Sequence, residues 1–421
     1  MMRWILMMSV LQSTPDTVSV SAAVALLQAL EVSPAAEAAA LDARSASFQA
    51  EQSEAWANPG LSVAVENVGR SEEFTGIPGA KGLEGQALLT APIPLGGDRG
   101  SRIRYSRAVA AEAQAGADLV RADQALSAAQ VIAAALRDQA LVETAREELE
   151  TLDRLAEALV LQEQEGRASR GDAARADLAR GQAATRLARQ ISAEAISGEA
   201  LARALALPPG TTVDVTLDRC MLPPEGAVPV DSTGVTLVPD LLRADARVEA
   251  AQAEIDRSRA RRIPDLETHV GLRRTGGNSG LYLGVTAALP LFDYGNRGVD
   301  AARAAEAAAT RIREDVLRRL EADRSAARRT EEALAEAGLT FSPEWSRNLE
   351  TAVEAAEVRF ELGEGTLYEL LDNRRARLAA LEDYWQWQAE WWVARARRAR
   401  LEGGPVEAYA PCSFPTPGGG A

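Results

Sequence analysis

The spacing of apolar residues switches between a helical and an alternating period, and it does so in the same order in each half of the chain. Val18 to Ala57 is Ala-rich with helical spacing, and Asn58-Pro59 blocks its continuation. In LSVAVEN, Leu61, Val63 and Val65 alternate with Ser62, Ala64 and Glu66; in ALLTAPIPL, Ala87, Leu89, Ala91, Ile93 and Leu95 share one face. These runs predict strands over about 60–68 and 86–95, separated by a loop rich in glycine and charge. From Arg99 the helical period returns, with Ala145, Leu149, Leu152, Ala156 and Leu159 forming a coiled-coil seam. A helix from about 99 to 161 would run roughly 90–95 Å. Gly166 breaks it, a second helix continues to about Leu207, and LPPGTT ends that one.

The second half follows the same plan. Pro239–Arg262 reads as helix. Leu266, Thr268, Val270 and Leu272 alternate with Glu267, His269, Gly271 and Arg273, and beyond the TGGNSG turn Leu281, Leu283, Val285, Ala287 and Leu289 alternate with Tyr282, Gly284, Thr286 and Ala288. The predicted strands are about 265–274 and 281–292. A long helical region runs to Leu362 with an interruption near Gly338 to Pro343, Gly363 to Thr366 turns the chain, and a last helix reaches about Glu402.

Short matches bind the two halves together. PIPLGGDRG at Pro92–Gly100 matches PLFDYGNRG at Pro290–Gly298, placing Gly97 over Gly295, Arg99 over Arg297 and Gly100 over Gly298. NPGLSV at Asn58 resembles IPDLET at Ile263, and GRASRGD at Gly166 resembles GEGTLYE at Gly363, with Ser169 over Thr366. Three similarities in one order and at nearly one spacing indicate a duplicated unit of about 200 residues. The fold class is therefore mainly α with a small β part, built as a duplicated helix–strand–strand–helix unit. The repeats cover 18–207 and 239–403. A Pro-rich connector at 208–238 joins them, and the tail 404–421 reads as disordered.

Composition supports long helices packed closely together: only 5% of residues are aromatic, and Ala, Leu, Glu and Arg dominate. The net charge of −15 excludes broad nucleic-acid binding. One histidine and two cysteines, Cys220 and Cys412, with no CxxC or Cys/His spacing, argue against a structural zinc site, while a disulfide between them is neither required nor forbidden. A lone His269 is a poor metal-ligand set and reads as a polar residue. No nucleophile elbow, P-loop or dinucleotide fingerprint is present, so the pattern supports no enzyme, cofactor or metal site. Residues 1–17 resemble a short signal peptide, Arg3 followed by an apolar run from Trp4 to Leu11; an apolar stub or a wrongly chosen start fits them as well. No other apolar run reaches about twenty residues, so a membrane crossing would have to be a β-barrel.

Four strands with an apolar face cannot close a barrel alone, and a two-stranded hairpin is marginal. Three protomers would supply twelve strands, enough to close one without an exposed edge. SAAVALLQALEVSP, NPGLSVAVEN, PIPLGGDRG, PDLLRADARVEAAQAEIDRSRARRIPDL and FELGEGTLYELLDNRRARLAALEDY, in that order and duplicated, resemble the outer-membrane efflux protein (TolC-like) family from about Val18 to Gly403. NPGLSVAVEN with PIPLGGDRG most resembles its heavy-metal-efflux branch. The resemblance implies a homotrimer with a 12-stranded β-barrel in the outer membrane and a periplasmic α-barrel of long coiled-coil helices. Such a trimer is a passive exit duct for a tripartite efflux pump or a type I secretion system. It works with a periplasmic adaptor and an inner-membrane pump.

The resemblance also implies roles for particular residues. Gly166, Ser169, Gly363 and Thr366 form periplasmic tips that dock the adaptor, besides capping their helices. Glu369 and Asp372, one helical turn apart, line a gate as rings of charge. Asp172 is the first-copy counterpart of Glu369, whereas Arg175 stands where the second copy has Asp372. Gly97, Gly100, Gly295 and Gly298, with Gly96, mark the corners where strand becomes helix and where left-handed backbone angles are expected. Arg99 and Arg297 fall near the periplasmic interface. Trp56, Phe292 and Tyr294 are placed either for an aromatic girdle or for ordinary packing at the corner. Trp385, Trp387, Trp391 and Trp392 read as helix packing. The competing class is a soluble or periplasmic coiled-coil scaffold or adaptor, and two alternating strand pairs at equivalent points of a repeat speak against it.

Overall fold

The computed structural model describes residues 17–66, 84–219, 238–275 and 278–413. The expected leader up to residue 16, most of the connector with Cys220, and the end of the tail lie outside them. In chain order the elements are β1 (Thr17–Ser21), α1 (Ala22–Glu31), α2 (Pro34–Glu54), β2 (Gly60–Glu66), β3 (Glu84–Ile93), α3 (Asp98–Gln164), α4 (Arg170–Ala204), β4 (Thr212–Thr216), β5 (Asp218–Arg219), α5 (Pro239–Ala260), β6 (Leu266–Thr275), β7 (Asn278–Ala287), α6 (Asn296–Gly338), α7 (Pro343–Glu361), α8 (Leu367–Glu402) and β8 (Cys412–Ser413). No single helix among the described residues is long and apolar enough to cross a membrane. The chain forms two compact units, one from Ala39–Ala117 and Asp240–Leu317, the other from Met1–Ala38, Asp118–Pro239 and Arg318–Ala421.

The first unit contains a four-stranded sheet in the order β2-β3-β6-β7, antiparallel throughout. Successive side chains on a strand point to opposite faces, so the register sorts the residues into two surfaces. Leu61, Leu89, Val270 and Leu283 stand in one row across all four strands, and Val63, Ala87, Leu272 and Leu281 in the next. The large side chains in these rows are exposed, with Leu61 at 73% and Leu283 at 68%, so nothing among the described residues covers this face. Each such side chain is worth about 1.5–3 kcal/mol when fully removed from water. The opposite face carries Ser62, Gln86, Thr90, Glu267, His269, Arg273 and Thr286. His269 bridges two strands there: its ring nitrogens lie 3.0 Å from Thr90 Oγ1 and 2.9 Å from Thr286 Oγ1. Strand β7 stops at Ala287 rather than near 292, because its last partner, Leu266, is where β6 begins. For the same reason β3 ends at Ile93, also opposite Leu266.

The second unit is helical, with a core of small residues. Ala22, Ala25 and Leu26 of α1, Ala125, Ala129 and Ile132 of α3, Leu201 of α4 and Ala396 of α8 are buried together. Alanine at so many of these positions lets the helix backbones approach closely. Two expectations are corrected here. Val18–Ser21 is strand, not helix: TVSVS alternates and pairs in parallel with TVDVT, Thr17 opposite Thr212 through Ser21 opposite Thr216. The β4 side chains Val213 and Val215 enter the core, while the Ser21 hydroxyl caps α1 by accepting from the Val24 N–H at 3.4 Å. The tail, expected to be disordered from 404, is ordered as far as Ser413. Gly403 ends α8 in the left-handed region at φ 75°, Val406–Tyr409 forms a 3-10 turn, Tyr409 is buried in the same core, and Cys412–Ser413 pairs with Asp218–Arg219. The buried aromatic ring offsets the entropy of ordering this segment.

The interruption between α6 and α7 is held by aromatic packing. Ser342 caps α7 through the Trp345 N–H at 3.2 Å, and Pro343 opens the helix. Phe341 lies 5.0 Å, between ring centroids, from both Trp345 and Trp387, and the Trp387 indole N–H donates to the Leu334 carbonyl at 2.7 Å. Trp391 and Trp392 are core residues. A Cβ on Gly338 would fall 2.3 Å from the Trp387 ring. Gly338→Val should therefore displace that ring and cost about 1–3 kcal/mol. Denaturant unfolding and a shift of tryptophan emission measure the effect, and unchanged stability would refute this packing.

Candidate functional site: the hairpin turns and the strand-to-helix corners

The two helical hairpin turns have one design. Gly166 and Gly363 lie in the left-handed region at φ 74° and 73°. In the first, the Gly166 N–H reaches the Glu163 carbonyl at 2.9 Å and the Arg167 N–H the Gln162 carbonyl at 2.7 Å. In the second, Gly363 bonds Phe360 at 3.1 Å and Glu364 bonds Arg359 at 2.9 Å. Both are Schellman motifs, which satisfy the last carbonyls of a helix by reversing the backbone at a residue best served by glycine. Three residues on, a hydroxyl starts the next helix: Ser169 Oγ accepts from the Asp172 N–H at 3.1 Å and Thr366 Oγ1 from the Glu369 N–H at 3.2 Å. The two hairpins share one apolar cluster, in which Leu152, Ala156 and Leu159 of α3, Ala176 and Ala179 of α4, and Leu367 and Leu371 of α8 are buried.

The carboxylates beside these turns differ in how far they are committed. Glu369 closes a capping box on the Thr366 N–H at 3.2 Å and lies 3.8 Å from Arg359. Asp172 accepts from the Ser169 hydroxyl at 2.6 Å and lies 3.8 Å from Arg175, the residue that replaces a second carboxylate in this copy. Asp372 is exposed and has no partner among the described residues.

Just behind them lies an ion cluster that sequence reasoning missed. Arg374 is buried and contacts Glu148 of α3 at 3.5 Å and Glu357 of α7. Burial pushes the Glu148 carboxyl above its ordinary value, with the Arg374 guanidinium opposing the shift; burial likewise lowers Arg374. Arg374 and Glu148 are 226 positions apart, and no local pattern pairs them.

At the corners, Gly96, Gly97 and Gly295 take positive φ, at 64°, 77° and 69°. A Cβ on Gly96 would meet Ile263 at 2.7 Å, and one on Gly295 would meet Arg262 at 2.9 Å. Gly100 and Gly298 do not share this need. They lie in the first turns of α3 and α6 without a positive φ, because the reversal is complete before each helix begins. Trp56, Phe292 and Tyr294 are exposed at 67%, 98% and 60%, and the Arg99 guanidinium lies over the Trp56 ring.

The fold combines an antiparallel sheet with one exposed apolar face and long helices that reverse at paired glycine turns. The family model for outer membrane efflux protein matches residues 237–404. The chain is 34% identical over 282 residues to the nickel and cobalt resistance protein CnrC of Cupriavidus metallidurans, covering 66% of this chain and 65% of that one, just under two thirds of its length. It is 31% identical over 319 residues to the nickel-cobalt-cadmium resistance protein NccC of Alcaligenes xylosoxydans xylosoxydans, covering 73% and 68%. The crystal structure of the outer membrane protein VceC from Vibrio cholerae superposes with a TM-score of 0.74 at 20% identity, over 91% of this chain and 96% of that one. The chain belongs to the outer membrane efflux protein family and is an outer-membrane protein.

The ion cluster generates a stability prediction. Arg374→Met leaves Glu148 buried without its cation and should cost about 3–5 kcal/mol near neutral pH, while adding Glu148→Gln should restore most of it. Glu148 binds its proton more tightly in the folded than in the unfolded state, so its contribution falls as pH rises from the ordinary carboxylate value through the raised one. Arg374→Met should steepen that fall and Glu148→Gln should remove it. Denaturant midpoints measured across pH check both, and a pH profile identical in all three proteins would refute the assignment.

Proposed function

We propose that the protein is the outer-membrane exit duct of a tripartite efflux system. It works as a homotrimer whose three sheets close a twelve-stranded barrel. A periplasmic adaptor and an inner-membrane pump deliver its cargo and supply the energy. The observation that carries this reading is the four-stranded sheet whose apolar face is uncovered, and whose strands β2 and β7 are unpaired on their outer sides, among the described residues. In hydrocarbon those backbone groups must be paired, and a closed barrel pairs them. The cargo class we assign is a divalent transition-metal cation, supported by the metal-resistance names of CnrC and NccC.

In this reading Gly166, Ser169, Gly363 and Thr366 present the rigid tips on which the adaptor docks, and Asp372, Glu369 and Asp172 form the constriction beside them. Asp372, exposed and uncommitted, contributes most of the charge felt by a cation in transit. Transport needs no covalent chemistry from the duct.

Two measurements test the proposal. Crosslinking in isolated outer membranes should give a species of three chains, and a soluble monomer would sink the duct reading. In planar bilayers, a trivalent cation added on the helical side should block conductance by bridging the clustered carboxylates. The double change Glu369→Gln and Asp372→Asn should weaken that block by roughly tenfold or more, on the order of 1.4 kcal/mol or above. Equal block in both proteins would remove these residues from the entrance.

A further inference from the structure

Where the strands become helices, the chain gathers a belt of arginine beneath the apolar face. The ends of α2 and α5 and the starts of α3 and α6 meet there. The Leu95 N–H donates to Asp265 Oδ1 at 3.1 Å, Arg262 Nε donates to the Tyr294 carbonyl at 3.2 Å, and the Arg99 guanidinium lies 4.9 Å from the Trp56 ring centroid. Residues 54–58, 93–107, 256–265 and 289–303 contain ten arginines and six carboxylates, a positive excess in a chain whose net charge is −15.

Most of those carboxylates are already engaged. Glu54 pairs with Arg107 at 2.5 Å, Asp256 with Arg259 at 3.4 Å and Asp300 with Arg303 at 3.4 Å. Asp265 and Asp293 accept from the backbone N–H groups of Leu95 and Gly295. Arg261 and Arg297 are exposed and have no ion pair among the described residues, and Arg102 Nε has no hydrogen-bond partner. The same segments carry the exposed Leu289, Leu291, Phe292, Tyr294 and Trp56.

We propose that this collar binds the anionic headgroups of phospholipids in the leaflet nearest the helices, with Arg261 and Arg297 as the principal phosphate ligands. A guanidinium offers two parallel donors to a phosphate diester. Amphipathic rings next to it occupy the headgroup level while apolar neighbours reach the acyl chains. Five of the six carboxylates are occupied within the chain, so a phosphate approaching the collar meets the two free guanidinium groups with only Asp98 as an uncommitted acid. The inference rests on the duct reading for its membrane setting, and its test separates the two.

The full-length trimer is reconstituted in nanodiscs of phosphatidylcholine alone or of phosphatidylcholine with phosphatidylglycerol. Retained lipid is counted by native mass spectrometry, and the thermal midpoint is followed in parallel. Phosphatidylglycerol should be retained preferentially and should raise the midpoint. The change Arg261→Gln with Arg297→Gln should reduce that retention by roughly fivefold for each arginine removed. Arg261→Lys with Arg297→Lys should keep part of it. Equal retention of the two lipids by the wild type, or undiminished preference in the Gln variant, would overturn the proposal. So would inorganic phosphate reproducing the midpoint shift in phosphatidylcholine, because the collar would then be a free-anion site. Bilayer conductance of the same samples separates the readings: conducting channels without lipid preference defeat the collar alone, whereas preparations that form no channel defeat the duct.

Discussion

Backbone pairing at the edges of the sheet is the constraint from which the rest follows. Within the four-stranded sheet every neighbouring pair is antiparallel, so directions alternate from β2 to β7. If β7 of one copy meets β2 of the next, the alternation continues unbroken around a closed ring. An even number of strands per chain is what makes this possible. The duplication supplies it directly, because each repeat contributes one hairpin and the two hairpins join through β3 and β6. The apolar face then remains on one side of every strand, and a register slip of a single residue would turn it to the polar side.

The helices solve a different problem. They must reverse direction without leaving backbone carbonyls unsatisfied, and both reversals use the same arrangement of left-handed glycine and capping hydroxyl. The main helical core is half alanine, 11 of its 22 buried residues, and the cluster beside the turns mixes Ala156, Ala176 and Ala179 with Leu152, Leu159, Leu367 and Leu371. At the break between α6 and α7, Phe341, Trp345, Tyr384 and Trp387 fill the space left by the interruption.

Charge is distributed by the same logic of environment. Arg374 is buried against two carboxylates from different helices, so its charge is compensated locally and holds α3, α7 and α8 in register. At the collar the surplus arginines are exposed and uncompensated by the chain. At the turns, Glu369 and Asp172 serve as helix-capping groups as well as charges, which leaves Asp372 as the exposed carboxylate without a partner among the described residues.

Much of this was legible in the residues themselves. Alternation in LSVAVEN and LYLGVTA marked strands with one apolar face, helical spacing marked the long helices, and the matched Gly-x-x-Ser and Gly-x-x-Thr segments marked the reversals. These are local patterns, set by bonds and contacts within a few residues. The parallel pairing of Thr17–Ser21 with Thr212–Thr216, the burial of Tyr409 and the meeting of Arg374 with Glu148 were not legible. Each joins segments far apart in the chain, and no residue's own neighbourhood records which distant surface will cover it. The glycines show the division at its sharpest. The sequence by itself determined that each corner carries glycine, but Gly96 and Gly295 take left-handed angles against Ile263 and Arg262, while Gly100 and Gly298 turn as ordinary helix. Which glycine is indispensable depends on where a neighbouring chain segment passes, and only the tertiary structure decides that.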